Sequence, residues 1–141
     1  MSRILFGLLI LGLLSACEPA KTEVPIDSPE FAAVVKTLEG GPWAWESMSC
    51  SEDARTFTFD ISKRAMYLHA KTEEGKDSTW TYRILKTWDN GLQGRILGEK
   101  RMTRDGKPVH WNLILRNNHT YYWELANARS FRASEYVLRC E

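Results

Sequence analysis

The feature that most constrains this chain is an alternation of apolar and polar residues that recurs from residue 57 onward. Phe57, Phe59 and Ile61 alternate with polar neighbours. The same two-residue period returns at 65–70, 79–84, 109–116, 121–126 and 136–139. Turn residues separate these segments: Glu74-Gly75, Asp89-Asn90-Gly91, Asp105-Gly106 and Asn117-Asn118. Because successive side chains of a strand point to opposite faces, the pattern predicts short antiparallel strands with one apolar face.

One helix is predicted before the strands. Ser28 suits the N-cap position and Pro29 the first helical position. The apolar residues that follow have the i, i+3, i+4, i+7 spacing of a single stripe: Phe31, Val34, Val35 and Leu38. Two glycines after Glu39 end the pattern. We therefore predict a helix over 29–39 that covers an open end or a face of the sheet.

Weaker strands at 43–50 and 92–103 bring the total to about eight strands after one short helix. The predicted fold is mainly β, as a small up-and-down barrel or a strongly curled sheet. Closure into a barrel would remove the exposed strand edges of an isolated sheet. A barrel of about eight strands has an interior just wide enough for side chains or one small ligand.

The sequence Gly41-Pro42-Trp43 at the first strand is similar to the Gly-x-Trp signature of the calycin group, which includes the lipocalins. In that group an arginine on the last strand packs over this tryptophan. The resemblance therefore implies that Arg139 packs over Trp43. It also implies a lipocalin-like barrel that carries a small apolar ligand.

Residues 1–17 have the layout of a secretory signal peptide, with Arg3 followed by an apolar run and then small residues. The run is 11 residues long, whereas a membrane-spanning helix needs about 20. Its end, Leu14-Ser15-Ala16-Cys17, resembles the lipobox of bacterial lipoproteins. This implies that Cys17 becomes lipidated, starts the mature chain and anchors it to an envelope membrane, facing the periplasm. Glu18, rather than aspartate, favours the outer membrane over the inner.

Lipidation of Cys17 accounts for the odd total of three cysteines. Cys50 and Cys140 are then a pair in an oxidising compartment, and we predict a disulfide between them. This pair conflicts with a simple antiparallel ladder in which Trp43 lies opposite Arg139. Such a ladder places Cys50 eight positions away from the residue opposite Cys140, whereas disulfide partners need Cα atoms within about 7 Å. Either the first strand bends or one pairing is wrong, and we favour the disulfide.

The mature chain is predicted to contain one domain. Residues 18–27 hold two prolines and few apolar side chains, and we predict a flexible tether there. Residues 28–141 then form a single β-rich domain, in keeping with a chain of 141 residues. The sequence leaves the oligomeric state open.

Composition excludes several classes of protein. Lys and Arg total 19 and Asp and Glu total 18, which excludes a strongly basic nucleic-acid-binding protein and an acidic disordered chain. The sequence contains no hydrolase, phosphate-loop or dinucleotide motif. His69, His110 and His119 lack the spacing of metal ligands. We therefore expect no enzyme activity, no metal, no cofactor and no nucleic-acid partner.

The near-zero net charge conceals two parts of opposite sign. Residues 18–60 contain nine acidic and three basic residues, and residues 61–141 contain nine acidic and fifteen basic residues. The basic excess is densest around one turn, at Lys100, Arg101, Arg104 and Lys107. These residues are candidates for binding an anionic envelope polymer or an acidic protein surface. We favour the alternative, a solvated hairpin whose charges protect a sheet edge.

Aromatic residues are abundant, with six Trp, five Tyr and five Phe. Eight are predicted to face the interior: Phe57, Phe59, Trp80, Tyr82, Trp111, Tyr121, Trp123 and Tyr136. Rings of this bulk favour a packed core over a ligand cavity. Tyr67, Trp88 and Tyr122 fall outside this set and are candidate partner-binding residues, since Trp and Tyr are enriched at interface hot spots. Alternatively, they cover the seam with the helix.

The function we prefer from the sequence is a lipid-anchored periplasmic domain that binds a protein or an envelope polymer, as inhibitors and immunity proteins do. The alternatives are a calycin-like carrier of a small apolar ligand and a structural accessory of the envelope. A continuous apolar pocket of several hundred Å³, on the order of known ligand sites, would favour the carrier. A packed interior with an exposed patch at Tyr67, Trp88 or Tyr122 would favour the interaction domain.

Overall fold

The structure, a computed structural model, describes residues 21–51, 55–98, 100–126 and 133–141. One α-helix, α1 (Pro29–Leu38), precedes eight antiparallel strands that close into a barrel. The strands are β1 (Trp43–Trp45), β2 (Thr56–Asp60), β3 (Ala65–Lys71), β4 (Asp77–Trp88), β5 (Gly91–Ile96), β6 (Trp111–Asn117), β7 (Thr120–Leu125) and β8 (Ala133–Arg139). Each strand pairs with the next, and β8 pairs with β1. The predicted up-and-down barrel is confirmed.

Helix α1 forms where its sequence signals predict it. The Ser28 hydroxyl accepts a hydrogen bond from the Phe31 N–H at 3.3 Å, so the N-cap is occupied as expected. Phe31, Val34 and Leu38 are buried and belong to the barrel core. The helix therefore covers one end of the barrel, which we call the closed end.

Aromatic rings fill the half of the barrel beside α1. Trp43 and Tyr121 are fully buried, and their ring centroids lie 5.0 Å apart. Phe57 and Trp123 extend this cluster, with centroids 6.2 Å apart. Because large rings bury more apolar surface than other side chains, this cluster is a main source of the barrel's stability.

The interior face predicted for β8 is wrong. Tyr136 pairs with Tyr122 on the outer surface and is 39% exposed, whereas Val137 is buried opposite Tyr121. Tyr136, Val137 and Leu138 are consecutive apolar residues, so the two-residue period has no clear phase there. Trp80, by contrast, keeps the predicted phase of Tyr82 and lies opposite Leu68, but it is 43% exposed.

The first strand bends, which removes the conflict between the two predicted pairings. β1 stops after Trp45 and a 3₁₀ helix follows, so the strand predicted over 43–50 is too long. Ser49 and Cys50 then have φ angles of 52° and 51°, in the left-handed region, and turn the chain back. Cys50 and Cys140 form the predicted disulfide, with Cα atoms 5.7 Å apart. In the ladder between β1 and β8, Trp43 still lies opposite Arg139.

The chain immediately before α1 is docked on the barrel. β3 pairs with β4 only as far as Arg83, so the later residues of β4 have an open edge. Residues 22–24 occupy this edge, where the Val24 N–H donates to the Thr87 carbonyl at 3.0 Å. The second half of the tether predicted over 18–27 is therefore part of the folded domain.

A buried ion pair adds to this docking. Lys21 Nζ lies 2.5 Å from Glu124 Oε1, and the side chains are 14% and 2% exposed. The Asn112 side-chain amide donates to the same carboxylate at 3.1 Å. Cys17 and the rest of residues 1–20 lie outside the described residues. Among the residues that are described, no helix has the length and apolar character needed to cross a membrane.

Candidate functional site

A cavity of about 390 Å³ opens at the end of the barrel opposite α1, and we call it the mouth cavity. Its lining consists of Trp45, Arg55, Phe57, Leu68, Tyr82, Ile96, Arg101, Trp111, Trp123 and Ser134. These residues lie toward the strand ends that are distant from the helix. Trp45, for example, is the last residue of β1, which begins shortly after α1.

The walls and floor of the mouth cavity are aromatic. Tyr82 and Trp123 are stacked, with centroids 6.0 Å apart and an interplanar angle of 22°. Trp45 meets Phe57 edge to face at 5.5 Å. Phe57 and Trp123 also contact Tyr121, whose burial raises the pKa of its hydroxyl well above the ordinary value and keeps it neutral. The aromatic cluster of the closed half is thus the floor of the cavity.

Two cationic side chains line the cavity among these rings. The Arg101 guanidinium carbon lies 5.5 Å from the centre of the Trp111 ring, a distance at which a cation and a ring face attract. Arg55 directly precedes β2 and lies two positions before Phe57. Within the described part of the chain, the lining contains neither Asp nor Glu. The mouth cavity therefore combines apolar walls with positive charge.

One polar atom of the wall has no partner. Trp111 Nε1 is buried and makes no hydrogen bond to any described residue. A buried donor left unsatisfied costs about 1–3 kcal/mol. Because this nitrogen is closed to solvent, the Trp111 contribution to the cavity lining comes from the rest of its side chain.

The basic hairpin identified in the sequence lies beside this cavity. β5 ends at Ile96, so the strand predicted over 92–103 is too long, and the chain then forms a short turn closed by a bridge from Met102 to Pro108. Of its four basic residues, Lys100, Arg101, Arg104 and Lys107, only Arg101 lines the cavity. Lys107 pairs with Asp105 at 3.6 Å, and a hydrogen bond from Thr103 lowers the pKa of that carboxyl.

The three aromatic candidates for partner binding do not form one exposed patch. Tyr122 is only 6% exposed and its ring lies 6.3 Å from Tyr136. Tyr67 and Trp88 are half-buried on β3 and β4. Tyr67 neighbours His69 at 6.3 Å, and Trp88 lies under the Lys86 ammonium at 6.0 Å. Each ring has a different neighbour.

The histidines occupy separate positions. His69 lies on β3 between the hydroxyls of Thr58 and Thr79, at 2.8 and 3.3 Å. Burial lowers the pKa of His110, and nearby Arg95 and Lys86 lower it further. His119 is exposed in the turn between β6 and β7. Across the ranges that the structure describes, no three His, Cys, Asp or Glu side chains are grouped to hold a metal.

The predicted pair of Trp43 and Arg139 lies at the closed end, away from the mouth cavity. The Trp43 indole N–H donates to the Leu38 carbonyl at 3.0 Å, and Arg139 donates to the Gly40 carbonyl at 2.5 Å. A second cavity of about 380 Å³ lies on the seam between α1 and the turn after β2, where Glu39 accepts a hydrogen bond from the Ile61 N–H at 2.9 Å. The helix seam is thus held by several polar contacts.

Sequence reasoning found part of the mouth cavity and missed part. It placed Phe57, Tyr82, Trp111 and Trp123 on the interior face, but expected their rings to fill the barrel. It missed Arg55, although Arg55 lies in the same alternating phase as Phe57 and Phe59. A charged residue at an inward-facing position at the start of a strand predicts a charged group at the barrel mouth, and Arg55 is such a residue.

Comparisons with protein-family models, curated proteins and solved structures find no match for this chain. The closed eight-stranded barrel is compatible with a calycin-like binding domain. The chemical character of the mouth cavity must therefore decide which function to propose.

Proposed function

We propose that this protein is a binding domain that holds a small, mainly apolar ligand in the mouth cavity. The observation that carries the proposal is a cavity of about 390 Å³ with aromatic walls at the open end of a closed barrel. Ligand sites in proteins commonly measure about 300–1,000 Å³ and combine apolar walls with a few polar groups. The mouth cavity has both properties.

The carrier function is preferred over the interaction domain for two reasons. An interaction domain was expected to have a packed interior, whereas the barrel contains a cavity at its mouth. It was also expected to expose Tyr67, Trp88 or Tyr122 as a patch, but Tyr122 is buried and the other two have separate neighbours. Both observations support a ligand inside the barrel.

We further propose that the domain acts in a bacterial envelope, attached through a lipid on Cys17. The support is the signal-like sequence 1–17 and its Leu14-Ser15-Ala16-Cys17 end. Cys17→Ser should move the protein from the membrane fraction to the soluble fraction of lysed cells. Continued membrane association of the variant would overturn this part of the proposal.

The ligand proposal is tested with N-phenyl-1-naphthylamine, a neutral dye whose fluorescence rises in apolar surroundings. The full mature chain, with Cys17→Ser for solubility, should bind about one dye molecule per barrel in a saturable titration, as expected for a single enclosed site. Leu68→Trp, which adds a large ring to the cavity wall, should weaken binding about tenfold or more. An absence of saturable binding would overturn the proposal.

A matched variant separates cavity filling from general effects of an added tryptophan. Leu97 is 45% exposed and does not line the cavity, so Leu97→Trp should leave dye binding unchanged. A cooperative thermal unfolding transition in both variants would show that the barrel is folded in each. Equal loss of binding in the two variants would show that the dye binds elsewhere.

A further inference from the structure

Resting on the proposed function, we infer that the natural ligand is an anion whose charged group lies between Arg55 and Arg101 while its apolar body enters the barrel. Both arginines line the mouth cavity, and no acidic side chain is among its described lining residues. A carboxylate, sulfonate or phosphate ester attached to an apolar body has the matching chemistry.

The geometry of Arg101 supports this assignment. Its guanidinium lies over the Trp111 ring, 5.5 Å from the ring centre, so the charge is held beside the apolar wall. An anionic group that contacts Arg101 would therefore have its apolar body next to Trp111. The charged contact from Arg101 and the apolar contact from Trp111 therefore lie side by side at the rim of the cavity.

The Trp111 indole is compatible with this assignment. Its buried Nε1–H has no hydrogen-bond partner among the described residues. An indole N–H is only a donor, so it needs an acceptor such as an anionic oxygen. The nitrogen is closed to solvent in this structure, so a ligand oxygen would satisfy this donor only if the indole turns toward the cavity on binding.

The surroundings add a longer-range attraction. Lys100, Arg104 and Lys107 are exposed on the hairpin that carries Arg101. Positive charge around the entrance of a cleft raises the local concentration of an anion and its rate of association. The basic hairpin thus has a role beyond protection of a sheet edge.

The test compares two dyes with the same apolar body. N-phenyl-1-naphthylamine is neutral, and 8-anilinonaphthalene-1-sulfonate carries one added sulfonate. The full mature chain should bind the sulfonate at least about tenfold more tightly, as expected for charge-assisted hydrogen bonds to guanidinium groups. This preference should shrink as salt is added, because the arginines lie at an open rim.

Three variants test whether the tighter binding of the sulfonate depends on the two arginines of the cavity. Arg55→Gln with Arg101→Gln should bring the two dissociation constants to within about threefold of each other, chiefly because binding of the sulfonate weakens. Arg83→Gln, on the exposed outer face of β4, should retain the wild-type preference. Leu68→Trp should weaken both dyes if they share the mouth cavity.

Each outcome has a separate meaning. Equal binding of the two dyes by the wild type, or a preference that survives in the double variant, would overturn the anion inference and leave the proposed function standing. Failure of both dyes to bind saturably would overturn the proposed function and the inference together. If the double variant unfolds, the salt dependence of the wild-type preference decides, and an unchanged preference at high salt contradicts the inference.

Discussion

Arg139 and Trp43 lie directly opposite each other at the seam where β8 closes the barrel onto β1. Arg139 donates to the Gly40 carbonyl at 2.5 Å, and Trp43 donates to the Leu38 carbonyl at 3.0 Å. The last carbonyls of a helix have no partners within the helix, and a cation suits its negative end. These two side chains therefore attach the end of α1 to the barrel.

This attachment places the Arg139 guanidinium against position 40. A Cβ atom there would lie 2.3 Å from a guanidinium nitrogen of Arg139. Gly40→Ala should therefore displace the guanidinium, and should lower the free energy of unfolding by about 1–2 kcal/mol, as should Arg139→Met. Because both changes remove the same hydrogen bond, the double variant should lose less than the sum. Denaturant unfolding measures this, and strictly additive losses would refute the coupling.

The Cys50–Cys140 disulfide should contribute strongly to stability. The two cysteines are 90 positions apart, and the chain-entropy model gives about 4–5 kcal/mol for so long a loop, less any strain. Cys50→Ser with Cys140→Ser should lower the free energy of unfolding by about 4 kcal/mol. Wild-type protein under reductant should lose the same amount, and the variant should not respond to reductant. A variant as stable as the oxidised protein would disprove this contribution.

The Lys21–Glu124 pair should hold the N-terminal segment on the barrel. Lys21→Met leaves the buried carboxylate without its cation, and the expected loss of unfolding free energy is about 3 kcal/mol. Adding Glu124→Gln should restore part of this loss, because a neutral amide does not need a cation. Urea unfolding measures both changes.

An exposed ion pair on the same segment provides the control. Lys86 lies 4.0 Å from Glu23, and the two side chains are 49% and 62% exposed. Lys86→Met should therefore cost less than about 1 kcal/mol. Losses of similar size for Lys21→Met and Lys86→Met would show that burial of Glu124 has no energetic consequence.

His110 should make stability depend on pH. Burial, with Arg95 and Lys86 nearby, lowers the pKa of His110 in the folded protein below the unfolded value of about 6.5. The unfolded chain therefore binds the proton more readily, and stability that is present above about pH 6.5 is lost as the pH falls through the folded pKa. His110→Gln should reduce the fall in melting temperature between about pH 7.5 and about pH 5. His119→Gln, at an exposed turn, should retain the wild-type slope, and identical slopes for both variants would contradict this role of His110.

The sequence predicts the inward face of β6 and β7 but not that of β8. In β6, Trp111 and Leu113 alternate with Asn112, and the predicted face is the observed one. In β8, three consecutive apolar residues hide the phase, and the register with β7 places Val137 inside. Cross-strand pairing with a neighbour decides what the local pattern leaves ambiguous.

The mouth cavity could be predicted only in part because alternation assigns a side chain to a face and not to a level along the barrel. Trp43 and Tyr121 pack together beside α1, whereas Trp111 and Tyr82 line the open end. The same number of rings could fill the barrel evenly or leave one end open. The sequence offered a bend in the first strand as one of two alternatives, and the presence of both the Cys50–Cys140 disulfide and the Trp43–Arg139 pairing selects it.

The most direct test of a ligand in the mouth cavity is an NMR titration that follows the indole N–H signals of the six tryptophans. We expect N-phenyl-1-naphthylamine to shift the signals of Trp45, Trp111 and Trp123 saturably, because these residues line the cavity. The signals of Trp43, at the closed end, and Trp88, outside the cavity lining, should remain in place. Saturable shifts confined to Trp43 or Trp88, or no saturable shift at all, would contradict the proposed binding function.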